Sequence, residues 1–199
     1  MVPKINKPKG LTGIDGQSIE QAVRQILKAI GEDPKREGLA DTPCRVARML
    51  EELLVHSSED PSQELKVYHA KNEDEMILVK DISFYSICEH HLMPFFGRTH
   101  IAYIPRNNMI TGFSSLARVV ESTAHRLQLQ ERMTADIADL IVKKLNPLGV
   151  LVVVEAEHLC LTMRGVKKPG SRIVTSAIRG GMKRESTRLE ALSLIKGRD

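Results

Sequence analysis

Cys88, His90 and His91 fall within four residues in the stretch Ser86-Ile87-Cys88-Glu89-His90-His91-Leu92-Met93-Pro94. Cys88 and His91 stand at C-x-x-H spacing, which lets a thiolate sulfur and an imidazole nitrogen reach one tetrahedral zinc ion from a single turn of backbone. His90 lies between them, free for other work. Two residues do not complete a site, and a lone C-x-x-H is equally compatible with a cysteine buried as a small hydrophobe. The other cysteines are Cys44 and Cys160. Cys160 sits in His158-Leu159-Cys160, a second pairing of the same residue types far along the chain. Cys88, His91 and Cys160 would give three protein ligands and one open coordination position, the pattern of a catalytic rather than a structural zinc.

Such a site needs elements that bring residues 88–91 and 158–160 together. Residues 76–82 and 84–87 read as strands leading into the His-rich segment, and 99–104 as a strand leaving it, ended by Pro105 and the turn-forming Asn107-Asn108. Residues 150–157 are the most strand-like run and deliver His158. Residues 159–166 read as a further strand with Arg164 inside it, and 172–178 as the last. Ser18-Ile19-Glu20-Gln21 has capping-box spacing ahead of Ile19, Ala22, Val23, Ile26 and Leu27 at helical period, with Gly31 as the stop. Thr42 and Pro43 suit the N-cap and first residue of a second helix. Gly112-Phe113-Ser114-Ser115 opens a third, with Leu116, Val119 and Val120 on one face. A fourth follows a break at 127–130, and Thr187-Arg188-Leu189-Glu190 caps a closing one. Residues 1–17 read as a flexible arm and 56–72 as a polar loop. Strands grouped apart from helices and joined by short turns predict an α+β fold with a largely antiparallel sheet. A helical pair at 18–56 precedes a core at 74–199.

Composition narrows the function classes. The 199 residues are 42% hydrophobic and 27% charged, which is ordinary for a globular domain with a real core. Three cysteines do not build a disulfide framework and fit a reducing compartment. The first residues lack the apolar core of a signal peptide, and no run approaches the roughly 18 apolar residues of a membrane span. A cytoplasmic protein without membrane partners is expected. The charge of +4 mildly favours anionic partners. Without aromatic–basic interleaving, nucleic acid is not expected, and a phosphorylated small molecule suits the basic residues better. Arg45 and Arg48 share one face near a helix start, where the dipole favours anions, though a solvated basic face would look the same. Arg118 is open to the same two readings.

The motifs together resemble GTP cyclohydrolase I. The resemblance is carried by Cys88-Glu89-His90-His91, by Gly97 through Ala102-Tyr103-Ile104-Pro105, by Gln130-Glu131-Arg132, and by His158-Leu159-Cys160 followed by Met163-Arg164-Gly165-Val166. It runs from about residue 18 to the C-terminus. It implies the tunnelling fold, an antiparallel ββααββ unit preceded by a helical pair, assembled as a homodecamer with active sites shared between subunits. It implies a zinc hydrolase that opens the imidazole ring of GTP at C8, releases formate and forms 7,8-dihydroneopterin triphosphate, the entry to folate and related pterins. Cys88, His91 and Cys160 match the family's zinc ligands. His90 and His158 match its proton-transfer histidines, a task that suits imidazole near neutral pH. Ser114 resembles the serine that assists ribose rearrangement. Gln130 and Glu131 match the residues that hold the guanine edge, and Arg45, Arg48, Arg118 and Arg164 match basic positions around the triphosphate. One departure stands out. The family usually has lysine directly after the serine of the third helix, and this chain has Ser115. Weaker triphosphate binding is expected, and a variant that prefers another purine nucleotide or stops at a ring-opened formamide stays open.

Overall fold

The computed structural model describes residues 13–56, 60–72 and 74–197. Residues 1–12 of the expected arm lie outside the described residues. The chain divides into two compact units, Met1–Ser58 and Glu59–Asp199.

The first unit holds α1 (Gly16–Ala29) and α2 (Thr42–Leu53), packed on each other. The cap of α1 is Asp15, not Ser18: its carboxylate accepts from Ser18 N at 3.1 Å, so Ser18 already lies within the first turn. Gly31 ends the helix as expected. At φ +87 it donates to Lys28 O while Glu32 donates to Leu27 O, the paired bonds of a Schellman turn. In α2 the cap is Asp41, so Thr42 is already helical.

The second unit is built on a five-stranded sheet of order β5-β2-β3-β6-β7, formed by β2 (Ile77–Cys88), β3 (Met93–Ile104), β5 (Leu127–Gln128), β6 (Gly149–His158) and β7 (Ile173–Gly180). All pairings are antiparallel except β5 with β2. The two strand runs read before Cys88 are one strand, interrupted by a register shift between Val79 and Ile82 where Asp81 takes φ +62. Between β3 and β6 in sequence come α3 (Phe113–Ala124) and α4 (Gln130–Leu145), which gives the ββααββ order.

Both faces of the sheet are covered, which explains why 150–154 is apolar without alternation. Val150, Val152 and Val154 join Phe95, Ile101 and Tyr103 under Leu116 and Val119 of α3 and Met133, Ile137 and Ile141 of α4. Leu151 and Val153 point the other way and pack with Ala102, Met182 and Ala191, the last on α6 (Glu185–Lys196). Each of these large apolar side chains contributes about 1.5–3 kcal/mol when fully removed from water.

Three expectations need correction. Residues 159–166 are not a strand. Leu159–Thr162 forms one helical turn, α5, and Arg164 lies in the turn after it; β6 has ended at His158 and β7 already occupies its free edge. Within 56–72, Pro61–Glu64 is a 3-10 turn, and Val67–His69 is a strand, β1, paired with β4 (Met109–Thr111). The closing helix starts at Glu185 rather than behind Thr187.

Candidate metal centre

The site lies at the end of the sheet where β2 stops, β3 begins and β6 stops. Cys88 is the last residue of β2 and pairs with Met93, and the turn between them carries His90 and His91. Leu92 N donates to Cys88 O at 2.9 Å, with Leu92 at φ +51, and this closes the turn. On the neighbouring strand pair, Phe95 of β3 is in register with His158 of β6. One residue beyond Leu159, α5 presents Cys160.

These paths bring Cys88, His91 and Cys160 together, with one donor atom from each lying within 4.8 Å of the others. Ligands at roughly 2.0–2.3 Å from one ion stand roughly 3.5–3.8 Å apart in tetrahedral geometry, so the three donors need about 1 Å of adjustment at most. Cys88 is buried, Cys160 half-buried and His91 exposed, so the cluster has an inner wall and an open side. Burial pushes the Cys160 thiol up, and the neighbouring Cys88 adds to that. The Cys160 thiol therefore resists ionising without a cation, and a divalent ion would remove that penalty. The residues fit a thiolate-binding metal.

His158 stands beside this group. Its ring stacks on Phe95 with centroids 4.5 Å apart and planes 7° from parallel. Nε2 lies 2.7 Å from Gln130 Oε1. Burial lowers its pKa, and the charge of Glu131 acts against that shift. His90 is exposed, with its ring centroid 6.3 Å from that of His91.

The other expected residues have diverse settings. Glu131 is exposed on the first turn of α4, whereas Gln130, on the same turn, is 1% exposed with its amide turned inward. Ser114 is exposed on the first turn of α3. Arg118 donates to Glu64 Oε2 at 2.8 Å and to Ser115 Oγ at 3.1 Å. Arg164 is exposed, and its charge reaches Cys160, favouring the thiolate. Arg45 and Arg48 are exposed on α2 in the other unit, and Arg45 pairs with Asp41 at 3.2 Å.

Sequence reasoning gave no role to the bracing around the ligand turn. Arg132 of α4 donates to the Glu89 carboxylate, to Gln128 Oε1 at 2.9 Å and to Leu127 O at 3.3 Å. Gln128 in turn accepts Glu89 N on its backbone oxygen at 3.1 Å, and its amide donates to Thr123 O at 3.0 Å. Arg132 was visible only as the third residue of Gln130-Glu131-Arg132. Phe95 carried no signal beyond being aromatic.

Comparison with known proteins is consistent across the chain. The family model for GTP cyclohydrolase I matches residues 19–196. The chain is 62% identical to GTP cyclohydrolase 1 of Carboxydothermus hydrogenoformans over 183 residues, covering 92% of this chain and 95% of that one. It is 57% identical to GTP cyclohydrolase 1 of Bacillus subtilis over 187 residues, covering 94% and 98%. A solved apo structure of the archaeosine synthase QueF-Like aligns with a TM-score of 0.45 at 20% identity over 56% of this chain and 98% of that one, a likeness too distant to inform the site.

Proposed function

Since the chain belongs to the GTP cyclohydrolase I family, we propose that it is a zinc-dependent hydrolase that opens the imidazole ring of GTP at C8, releases that carbon as formate and forms 7,8-dihydroneopterin triphosphate. The observation that carries this reading is the convergence of Cys88, His91 and Cys160 from segments distant in sequence, with His158, two residues before Cys160, stacked on Phe95 and hydrogen-bonded to Gln130.

Cys88, His91 and Cys160 hold the ion. Bound there, zinc supplies a Lewis acid that makes water nucleophilic near neutral pH. The protein's own groups do the rest. Water adds at C8, the C8–N9 bond breaks and N9 needs a proton. A second hydrolysis breaks C8–N7 and leaves an amine at N7. His158 and His90 flank the ligands in sequence and move these protons, a task for which imidazole titrates in the useful range. Glu131 holds the guanine edge, since a carboxylate accepts from both N1–H and the 2-amino group. Ser114 assists ribose opening before that amine recloses the ring. Arg118 and Arg164 bind the triphosphate, to which guanidinium offers paired donors; Arg45 and Arg48 match further basic positions of the family. We place the enzyme in the cytoplasm as a homo-oligomer, a decamer whose pockets draw residues from neighbouring subunits. No helix among the described residues is long and apolar enough to cross a membrane.

A second reading follows from Ser115. It is 2% exposed and holds Arg118 together with Glu64, so the usual lysine is absent and a remaining cation is engaged within the chain. An enzyme with weakened triphosphate binding, altered nucleotide preference or arrest at the ring-opened formamide would result. One experiment separates the readings. Metal-replete protein is incubated with GTP and the products are identified by mass, with chelator-stripped protein as control. Formate with dihydroneopterin triphosphate supports the first reading, and a formamide end product supports the second. Unchanged GTP overturns the first reading, and the second falls as well if other purine nucleoside triphosphates are also left untouched.

A further inference from the structure

We propose that Gln130 is a positioning residue that fixes the tautomer of His158, leaving Nδ1 as the ring nitrogen that exchanges protons with substrate. The inference rests on the reading of His158 as a proton-transfer group. It gives Gln130 a different task from the guanine edge that the family resemblance suggests.

The argument follows from which atoms can only accept. Gln130 Nε2 lies 3.0 Å from Val154 O and 3.0 Å from Ile173 O. Carbonyl oxygens accept and never donate, so the amide nitrogen must face them and the amide cannot be flipped. Oε1 therefore faces His158 Nε2, 2.7 Å away. An amide oxygen also only accepts, so Nε2 must carry a hydrogen. A neutral imidazole has one N–H, and its lone pair is then at Nδ1. Among the described residues Nδ1 makes no hydrogen bond to protein, nor is it one of the buried side-chain atoms left without a partner.

The hydroxyls behind the amide are ordered by the same logic. Thr134 Oγ1 lies 2.6 Å from Gln130 O, which can only accept, so the Thr134 hydrogen points there. Thr175 Oγ1, 2.7 Å from Thr134 Oγ1, must then donate to it. Its lone pairs stand 3.1 Å from Gln130 Nε2, whose two hydrogens are shared among Thr175 Oγ1, Val154 O and Ile173 O. The two hydroxyl directions are thereby set, and Gln130 is 1% exposed. Rotating the imidazole by half a turn would place a C–H against Oε1, and the stack on Phe95 holds the plane in which the N–H must lie. With both amide hydrogens turned inward, Gln130 has no donor left for a purine edge, and its Oε1 already accepts from His158.

The test uses the full chain labelled with 15N-histidine, with and without zinc, at about pH 8.5, two units above the ordinary imidazole pKa of roughly 6.5. Solid-state NMR, assigned by the signals lost in His158→Ala, is expected to show one tautomer, protonated and hydrogen-bonded at Nε2. That hydrogen-bonded N–H should be lost in Gln130→Met. Steady-state kinetics supplies the second arm. Gln130→Met is expected to lower kcat by about 10-fold or more, and by no more than the roughly 10²–10⁴ that a positioned acid–base group supplies in full, while KM for GTP moves less than about 3-fold. Thr175→Val, which leaves Gln130 in place and removes only its brace, should lower kcat in the same direction by less and serves if Gln130→Met does not fold. A wild-type His158 protonated at Nδ1, or a rise in KM with kcat unchanged, overturns the proposal. If wild-type protein leaves GTP untouched, the functional reading fails on its own while the NMR arm still decides the tautomer.

Discussion

If Arg118 binds the triphosphate as proposed, replacing Glu64 with glutamine should tighten GTP binding, because Glu64 occupies that guanidinium. Arg118 Nε donates to Glu64 Oε2 at 2.8 Å, with the two side chains 44% and 34% exposed. Two unit charges about 4 Å apart attract by about 1 kcal/mol in water and by more where solvent is partly excluded. Measured exposed pairs fall at about 0.2–1 kcal/mol after screening and side-chain entropy are counted. If a phosphate must displace Glu64, removing that competition lowers KM for GTP by roughly 1.4- to 5-fold, with kcat little changed. Ser115 still accepts Arg118 Nη2 at 3.1 Å in the variant, so the guanidinium stays in place. The gain should shrink as ionic strength rises, since the Debye length falls from about 10 Å at 0.1 M to about 3 Å at 1 M. The assay is KM for GTP at low and high salt for the wild type, Glu64→Gln, Arg118→Gln and the double variant. Arg118→Gln should raise KM and abolish the benefit of Glu64→Gln. An unchanged or higher KM in Glu64→Gln at low salt, or an equal benefit without Arg118, would refute the reasoning.

Three further outcomes are expected. Cys160→Ser should lose stoichiometric zinc, read by metal analysis after dialysis, with turnover lost in parallel and the far-ultraviolet circular dichroism retained; full zinc retention would remove Cys160 from the ligand set. Gly97→Ala should cost about 2 kcal/mol or more in a denaturant titration, because a Cβ there would sit 1.9 Å from Glu155 O and 2.7 Å from Ala156 Cα, both backbone atoms of a strand paired on both sides; a loss below about 0.5 kcal/mol would mean that β3 and β6 separate easily. His100 has its pKa lowered by burial, and its Nδ1 accepts Asp81 N at 3.2 Å, a bond that protonation at Nδ1 removes. The folded state thus binds the proton less readily than the unfolded chain, so stability is full above the ordinary imidazole pKa of roughly 6.5 and declines as pH falls below it. His100→Gln should flatten that decline in urea midpoints measured between about pH 7 and 5, and an unchanged slope would count against this assignment.

What the sequence made legible, and what it did not, divides by the range over which the determining forces act. The helix pair between two groups of strands and the apolar run at 150–154 were readable because side-chain period and burial are written along the chain, whereas the ββααββ order was implied by the family resemblance. The metal cluster was readable because its donors are rare residue types, and only three cysteines needed placing. Element ends were misread where a stronger local competitor lay one or two residues away: Asp15 outcompetes Ser18 as a cap because its carboxylate is the better acceptor at a helix start. The strand expected at 159–166 failed for a non-local reason. Once β7 has taken the free edge of β6, residues beyond His158 have no ladder left to join, and a helical turn is the local way to satisfy their backbone. The hydrogen bonds of Gln130 could not be read along the chain, because its partners on β6 and β7 and His158 are all distant in sequence. A side chain's type indicates which hydrogen bonds it can make, whereas the fold decides which remain available. Here the fold turns the Gln130 amide inward and leaves the Glu131 carboxylate on the same helical turn exposed.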